Sequence, residues 1–544
     1  MGEFCGRAER KHLVFKLKIM KIKSGILCFA LLGMLSCQTG NNKTKEVAEK
    51  PALGEITIAR LQKGYAEGRF SVVTVVQAFL ERIDSIDRHG PCLNSVITLN
   101  PDALEISARL DREHAAGKTP GPLFGIPVIL KDNIDTHDKM PTTGGSLALK
   151  NSFPLADSRV AEKLREAGAV ILGKSNLSEW ANFRSSFSSS GWSGAGGQTK
   201  NPYFLDRNPC GSSSGSGAAV SAGLCVVAIG TETNGSIVCP SNNNGVVGIK
   251  PTVGLISRSG IIPISFTQDT PGPMACTVTD AAICLGTLTG IDRADSKTLL
   301  SAGHFLTDYT PFLKKDGLKG RRIGLLRSAM GFHHRVDALM EKNVEWMKSQ
   351  GAEVIELKDV LDPAVEGASL EVMLYEFKDG LNNYFASLGK DAPLKSLQDL
   401  IAFNKTDSAE LFYFDQKLLE QAGKKGNLSS PAYLKALKTM LRGSRKEGVD
   451  LLMDRYRLDA LILPTGTPAW KTDLVNGDLY LGGNSSWAAI SGYPSISLPM
   501  GMIDGLPVGI SFFGRAWSEP VLIEMAYAFE QGTKARRQPR YLKN

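Results

Sequence analysis

No apolar run in the 544 residues reaches the roughly 18 that a membrane-spanning helix needs, which excludes an integral channel or transporter. Cysteine is scarce: nine residues, an odd number with no CxxC pair or Cys/His cluster, offer neither a disulfide framework nor a zinc site. Histidine is scarcer still, and none of the seven (His12, His89, His114, His137, His304, His333 and His334) lies beyond residue 334. There is no internal repeat of fixed period. The basic excess of +8 is not spread over the chain. Seven Lys/Arg fall in residues 1–23 against Glu3 and Glu9, and the chain from Gln38 onward holds 56 basic and 53 acidic residues. No basic stripe with interleaved aromatics survives in that body, so nucleic acid is not an expected partner. What remains, 42% hydrophobic and 22% charged, is an ordinary large globular protein.

The N-terminal segment has the parts of an export signal. Lys21 and Lys23 follow Met20, a better start for such a signal than Met1, and residues 24–35 form an uncharged apolar stretch. Leu35-Ser36-Cys37 resembles the lipobox of bacterial lipoproteins, in which the cysteine is lipidated and becomes the new N-terminus. The reading is therefore a leader over 1–37, a polar tether over 38–53 and one domain over 54–544. It also implies export to the periplasm or cell envelope of a bacterium, with membrane anchoring through Cys37.

Within the body, helical and strand-like patterns alternate. Apolar spacing near 3.6 marks helices over 71–88, 101–117, 158–168, 336–351 and 520–531. Short apolar runs at 126–130, 169–172, 224–229, 323–326, 354–357 and 460–463 suit buried strands. This predicts an α/β fold: a single large domain with a central mixed β-sheet covered by helices on both faces. A more helical, charged insertion or cap is expected around 362–448.

Chemistry concentrates between residues 185 and 260. Fourteen glycines fall within 191–260 and ten serines within 185–216, around Trp192, Tyr203 and Pro209, which a flexible linker would have no reason to carry. Glycine there lets backbone N–H groups approach a ligand closely. Two serine elements stand out: Cys210-Gly211-Ser212-Ser213-Ser214-Gly215-Ser216-Gly217, and Gly230-Thr231-Glu232-Thr233-Asn234-Gly235-Ser236-Ile237. Upstream, Lys131 ends the apolar run in Gly125-Ile126-Pro127-Val128-Ile129-Leu130-Lys131. A lysine in so poorly solvated a place loses its proton readily, and the neutral amine is a general base near pH 7.

In this order and spacing the three elements resemble the amidase signature family of Ser-Ser-Lys hydrolases. Gly248-Ile249-Lys250-Pro251-Thr252 and Gln268-Asp269-Thr270-Pro271-Gly272-Pro273-Met274 are further landmarks of that family. The resemblance covers most of 54–531. It implies Ser236 as nucleophile, Ser212 as bridging serine, Lys131 as base and a cis peptide at Gly211–Ser212. It implies an oxyanion hole from the N–H groups of Thr233, Asn234, Gly235 and Ser236, with Ser213 supporting by a hydrogen bond to Lys131. No metal or cofactor is implied. Cys210 and Ser214 stand where the family has glycines, Glu232 where it has Asp, and Asn234 where it has Gly; the three catalytic side chains are intact. The likeness is strongest to the peptide amidase branch, which points to C-terminal peptide amides as substrates, with Trp192 and Trp487 as candidate lining residues.

Three other readings fit parts of the pattern. An ammonia-supplying protein of the transamidation type, or a non-catalytic binding scaffold, would share the fold, but the leader and the intact Lys131, Ser212 and Ser236 speak against them. Gly211-Ser212-Ser213-Ser214-Gly215 also fits the G-x-S-x-G elbow of α/β-hydrolases, with Ser213 as nucleophile, but no histidine lies late in the chain.

Overall fold

A computed structural model describes residues 51–543. The expected export leader with Cys37, and residues 38–50 of the expected tether, lie outside the described residues. The strands are β1 (Val96–Leu99), β2 (Pro127–Lys131), β3 (Val170–Ser175), β4 (Trp192–Ser193), β5 (Gly197–Gln198), β6 (Val227–Glu232), β7 (Val247–Lys250), β8 (Thr270–Ala275), β9 (Arg322–Leu326), β10 (Glu353–Leu357), β11 (Ala460–Pro464), β12 (Ser495–Ile503) and β13 (Leu506–Phe513). Among the described residues, β4 and β5 form a small ribbon. The other eleven make one sheet in the order β1-β3-β2-β6-β8-β7-β12-β13-β11-β9-β10. Parallel pairing joins β3, β2 and β6 and, in the other half, β11, β9 and β10, while the centre is antiparallel.

Every residue of β2, β3, β6, β7, β8, β11 and β13 is buried. Successive side chains of a strand point to opposite faces, so such strands must be covered on both. The β11 sequence shows it directly: Ala460 and Ile462 join the main core with Ile323, Leu325 and Phe512, whereas Leu461 and Leu463 join a separate cluster with Leu326, Trp487 and Phe513.

All six expected strands are present, displaced by up to three residues. Five further strands of the large sheet were not legible. β1 is only four residues long, and β7 and β8 lie in Gly/Pro-rich sequence. β8 tolerates Pro271 and Pro273 because β7 pairs only with its Met274 and Ala275, leaving that side of 271–273 without a ladder. The 71–88 pattern is the helix Val72–Arg82, capped by the Ser71 hydroxyl accepting the Thr74 N–H at 3.0 Å, followed by a π-helical turn Ile83–Arg88. Residues 362–448 are helical as expected, in Pro363–Ser387, Leu397–Thr406, Lys417–Gly423, Pro431–Leu441 and the start of the turn Arg442–Val449. Phe377, Leu381, Phe385 and Leu400 of this cap pack on Trp180, Ile262 and Ile264 from the loops of the sheet. Among the described residues no helix is long and apolar enough to cross a membrane.

Candidate active site

β2 and β6 are parallel neighbours, with Leu130 opposite Ile229, so their C-terminal ends deliver Lys131 and Thr231 to one place. Lys131 is fully buried, and its Nζ lies 2.8 Å from Ser212 Oγ, 2.9 Å from Thr231 Oγ1 and 3.1 Å from the Thr231 carbonyl. Asn133 Nδ2 donates to the same Thr231 hydroxyl at 3.0 Å. Burial pulls Lys131 down to about 7, against the opposing charges of Asp269 and Glu232, which raise it. Lys174 and Lys250 are fully buried as well: Lys174 donates to the Ile134 carbonyl and Thr142, and Lys250 to the Pro251 carbonyl. Of these three lysines, Lys131 is the one set against a serine hydroxyl.

A neutral amine has two N–H bonds and one lone pair. The Thr231 carbonyl can only accept, and its hydroxyl is also placed to accept, so the two N–H bonds go to Thr231. The lone pair is then left toward Ser212, whose O–H donates to it.

Ser212 follows a cis peptide bond from Gly211 and leads into the helix Ser214–Ser221. Ser213 N–H donates to the Ser236 carbonyl at 3.1 Å, which sets the two serine elements side by side. The Ser213 hydroxyl does not bond Lys131 as expected: it donates to the Thr231 carbonyl at 3.1 Å and accepts the Thr231 N–H at 3.2 Å. It supports the lysine through Thr231, because the helix start turns it toward the β6 backbone.

The turn 233–236 runs from β6 into the short helix Val238–Asn244. Gly235 has φ +87°, and a Cβ there would lie 3.0 Å from Ser485 Oγ. The N–H groups of Thr233, Asn234, Gly235 and Ser236 donate to no acceptor among the described residues. Those of Ile237 and Val238 are taken by the Glu232 carboxylate at 2.7 and 3.0 Å. Glu232 thus fixes the following helix and leaves the turn's own amides free to face a developing oxyanion. The Asn234 side chain bridges to Ser485 and Ser486, so its amide anchors the turn to the 482–488 segment. Thr233 Oγ1 donates to Asp269, whose other carboxylate oxygen accepts the Ile264 and Ser265 N–H groups; burial pushes Asp269 up to about 6.

Cys210 and Cys239 form a disulfide, with 5.9 Å between their Cα atoms. This corrects the expectation of no disulfide. An odd cysteine count without local pairs carries no information about two cysteines 29 residues apart that the fold brings together. Among the described residues, Cys92, Cys225, Cys276 and Cys284 are free.

A cavity of about 430 Å³ opens beside the turn, lined by Cys210, Gly211, Asn234, Gly235 and Cys239 together with Phe187, Tyr480, Gly483 and Ser485. A second of about 360 Å³ lies across Thr231 and Thr233, lined by Asn133, Ile262, Phe266 and Tyr384. Trp192 and Trp487 line neither. Trp192 packs edge-on against Tyr413 and Phe414 with the Arg184 guanidinium 5.5 Å from its ring, and Trp487 sits in the Leu463–Phe513 cluster. Thr231, Asn133, Asp269 and the Cys210–Cys239 pair were not singled out from sequence. The position of Thr231 two residues past the apolar run 224–229 and two before the turn 233–236 was the one signal for the first.

The family profile described as Amidase matches residues 74–523. The chain belongs to the amidase signature family and is a hydrolase acting on carbon–nitrogen bonds. Native peptide amidase from Stenotrophomonas maltophilia is similar at 50% identity and a TM-score of 0.86, over 90% of this chain and 99% of that one. A "Probable amidase" of Arabidopsis thaliana is 39% identical over 90% of this chain and 92% of its own length. A polypeptide of the glutamyl-tRNA(Gln) amidotransferase of Thermoanaerobacter pseudethanolicus is 34% identical over 90% of this chain and 98% of its own length.

Proposed function

We infer that the enzyme hydrolyses C-terminal peptide amides, with Ser236 as nucleophile, Ser212 as proton relay and Lys131 as base. One observation carries this reading: a fully buried lysine, held near neutrality at about 7, stands 2.8 Å from Ser212 beside a turn of four unused amide N–H groups. Ser236 Oγ attacks the amide carbonyl carbon, its proton passing to Ser212 as the Ser212 proton passes to Lys131 Nζ. The N–H groups of residues 233–236 receive the oxyanion. As the tetrahedral centre collapses, the C–N bond breaks and the proton returns from Lys131 through Ser212 to nitrogen, releasing ammonia and leaving an acyl ester on Ser236. Water then attacks that ester, losing a proton along the same relay. The acid departs as Ser236 recovers its hydrogen.

Support for the substrate class comes from the likeness to a peptide amidase and from the cavity of about 430 Å³. That cavity mixes backbone and hydroxyl groups with the Phe187 and Tyr480 rings, as ligand sites do. The test is ammonia release by the full-length enzyme from a panel of peptide amides, fatty amides, nicotinamide and small aliphatic amides. Turnover of peptide amides, lost in Ser236→Ala, is expected. Turnover of the other amides with peptide amides ignored would overturn the substrate class, and fluorophosphonate labelling of any residue but Ser236 would overturn the mechanism.

The segment 20–37 supports export and lipidation of Cys37. Palmitate incorporation in growing cells, lost on Cys37→Ser, is the expected result.

A further inference from the structure

The Cys210–Cys239 bond joins the two elements that carry the reactive serines. Cys210 lies two residues before Ser212 and Cys239 three residues after Ser236. Cys210 also sits at φ +57°, a backbone region where a Cβ is crowded and glycine is the ordinary occupant. A side chain kept at such a position has a task, and here it is the crosslink. Both cysteines line the cavity of about 430 Å³ beside the oxyanion turn, so the bond forms part of the wall that substrate would touch.

We propose that this disulfide is a positioning device for the amide-cleaving site, holding the Ser212 loop in register with the Ser236 turn, and that its reduction through the substrate cavity converts the enzyme to a slow form. The proposal rests on the serine-hydrolase reading given above. A small dithiol supplies the electrons: one thiolate attacks a cysteine sulfur to give a mixed disulfide, and its second thiolate then displaces the enzyme thiol. The enzyme gains two thiols as the reagent becomes a cyclic disulfide.

The reduced enzyme keeps its fold because other ties run parallel to the bond. Asn244 Nδ2 donates to the Pro209 carbonyl at 2.8 Å, Asn243 Nδ2 to the Asn208 carbonyl at 3.3 Å, and Ser213 N–H to the Ser236 carbonyl at 3.1 Å. These hold the segments together, with the Cys210 N–H itself tied to Asn208 Oδ1 at 2.7 Å, so loss of the bond shifts the Gly211–Ser212 segment only slightly, and a relay spanning three side chains is sensitive to displacements of an ångström or less.

The experiment treats full-length enzyme with dithiothreitol and follows four quantities: kcat and KM for a peptide amide, the rate of Ser236 labelling by a fluorophosphonate, and near-ultraviolet circular dichroism. Expected on reduction is a fall of about ten- to a hundredfold in kcat and in labelling rate, with KM nearly constant and the dichroism retained. Oxidised glutathione restores activity. Cys210→Gly/Cys239→Ala behaves as the reduced enzyme and no longer responds to dithiothreitol. The peptide acid product, bound in the cavity, slows reduction. Unchanged kcat and labelling after confirmed reduction overturns the proposal, as does activity lost only together with the dichroism, which makes the bond merely structural. Oxidised enzyme that fails to label at Ser236 overturns the hydrolase reading itself.

Discussion

Lys131 titrates near neutrality, at about 7, because its surroundings exclude water, and the same surroundings define how it responds to pH. A base that titrates at about 7 is protonated below that value and cannot accept the Ser212 proton. The kcat/KM profile is therefore expected to rise with pH through about 7 and level off above it. Asp269 and Glu232 both raise the lysine, so Asp269→Asn or Glu232→Gln should move that limb to lower pH. A limb that moves to higher pH in these variants would contradict the electrostatic account. Lys131→Ala removes the proposed base and should lower kcat by several orders of magnitude; Ser212→Ala, which cuts the proposed relay, should come close to it. Thr231→Val leaves the lone pair without its orienting hydroxyl, and we expect about a tenfold loss in kcat that Thr231→Ser largely recovers. At this scale the sequence exposed the residues with a chemical signature: two Gly/Ser elements, and a lysine ending an apolar run. Thr231, Asp269 and the cysteines escaped because their roles depend on what folding places opposite them, and nothing in their local spacing records that.

The unit that prepares the site is a strand end, a turn and a helix start in series. Glu232, the last residue of β6, reaches forward to the Ile237 and Val238 N–H groups, so the turn 233–236 is clamped at both ends. Glu232→Ala is expected to cost about 2 kcal/mol in urea unfolding, the typical worth of a charged acceptor on backbone donors, and to lower kcat as the four turn amides lose alignment. The Glu232 side chain is long enough to reach both N–H groups, at 2.7 and 3.0 Å. The buried runs and helix periods were legible because each element is one face or two faces of a core. β7, β8 and the β12–β13 hairpin were harder, because Gly and Pro in a covered strand carry no period and read like loop.

Across the whole molecule, the helical cap is tied to the serine loops by a buried charge cluster. Arg184 pairs with Glu179 and Glu410, both fully buried, while Glu179 accepts the Gly194 N–H and Glu410 the Leu147 N–H and Ser146 hydroxyl. Burial raises Glu179 well above the ordinary carboxylate range despite the guanidinium beside it. Removing the cation strands two carboxyl groups in the interior, and Arg184→Ala is expected to destabilise the fold by about 3–5 kcal/mol, read as a lowered Tm. Arg184→Lys should recover only part, since a point charge cannot bridge both partners in a fork. Glu410 stands between the polar 404–408 and the apolar Leu411-Phe412-Tyr413-Phe414, and no period there marks the carboxylate as interior; its burial follows from the cap closing over Arg184.

The sheet order sets the timing of assembly. β12 and β13, residues 495–513, stand in the middle of the sheet, joining β7 on one side to β11 on the other. A nascent chain therefore emerges with two separate half-sheets, each ending in an unpaired strand, and these close into one only after the late hairpin has been synthesised. Such long-range pairing is slow and leaves sticky edges exposed in the interval. During that interval the two open edges make the chain a ready client for a chaperone.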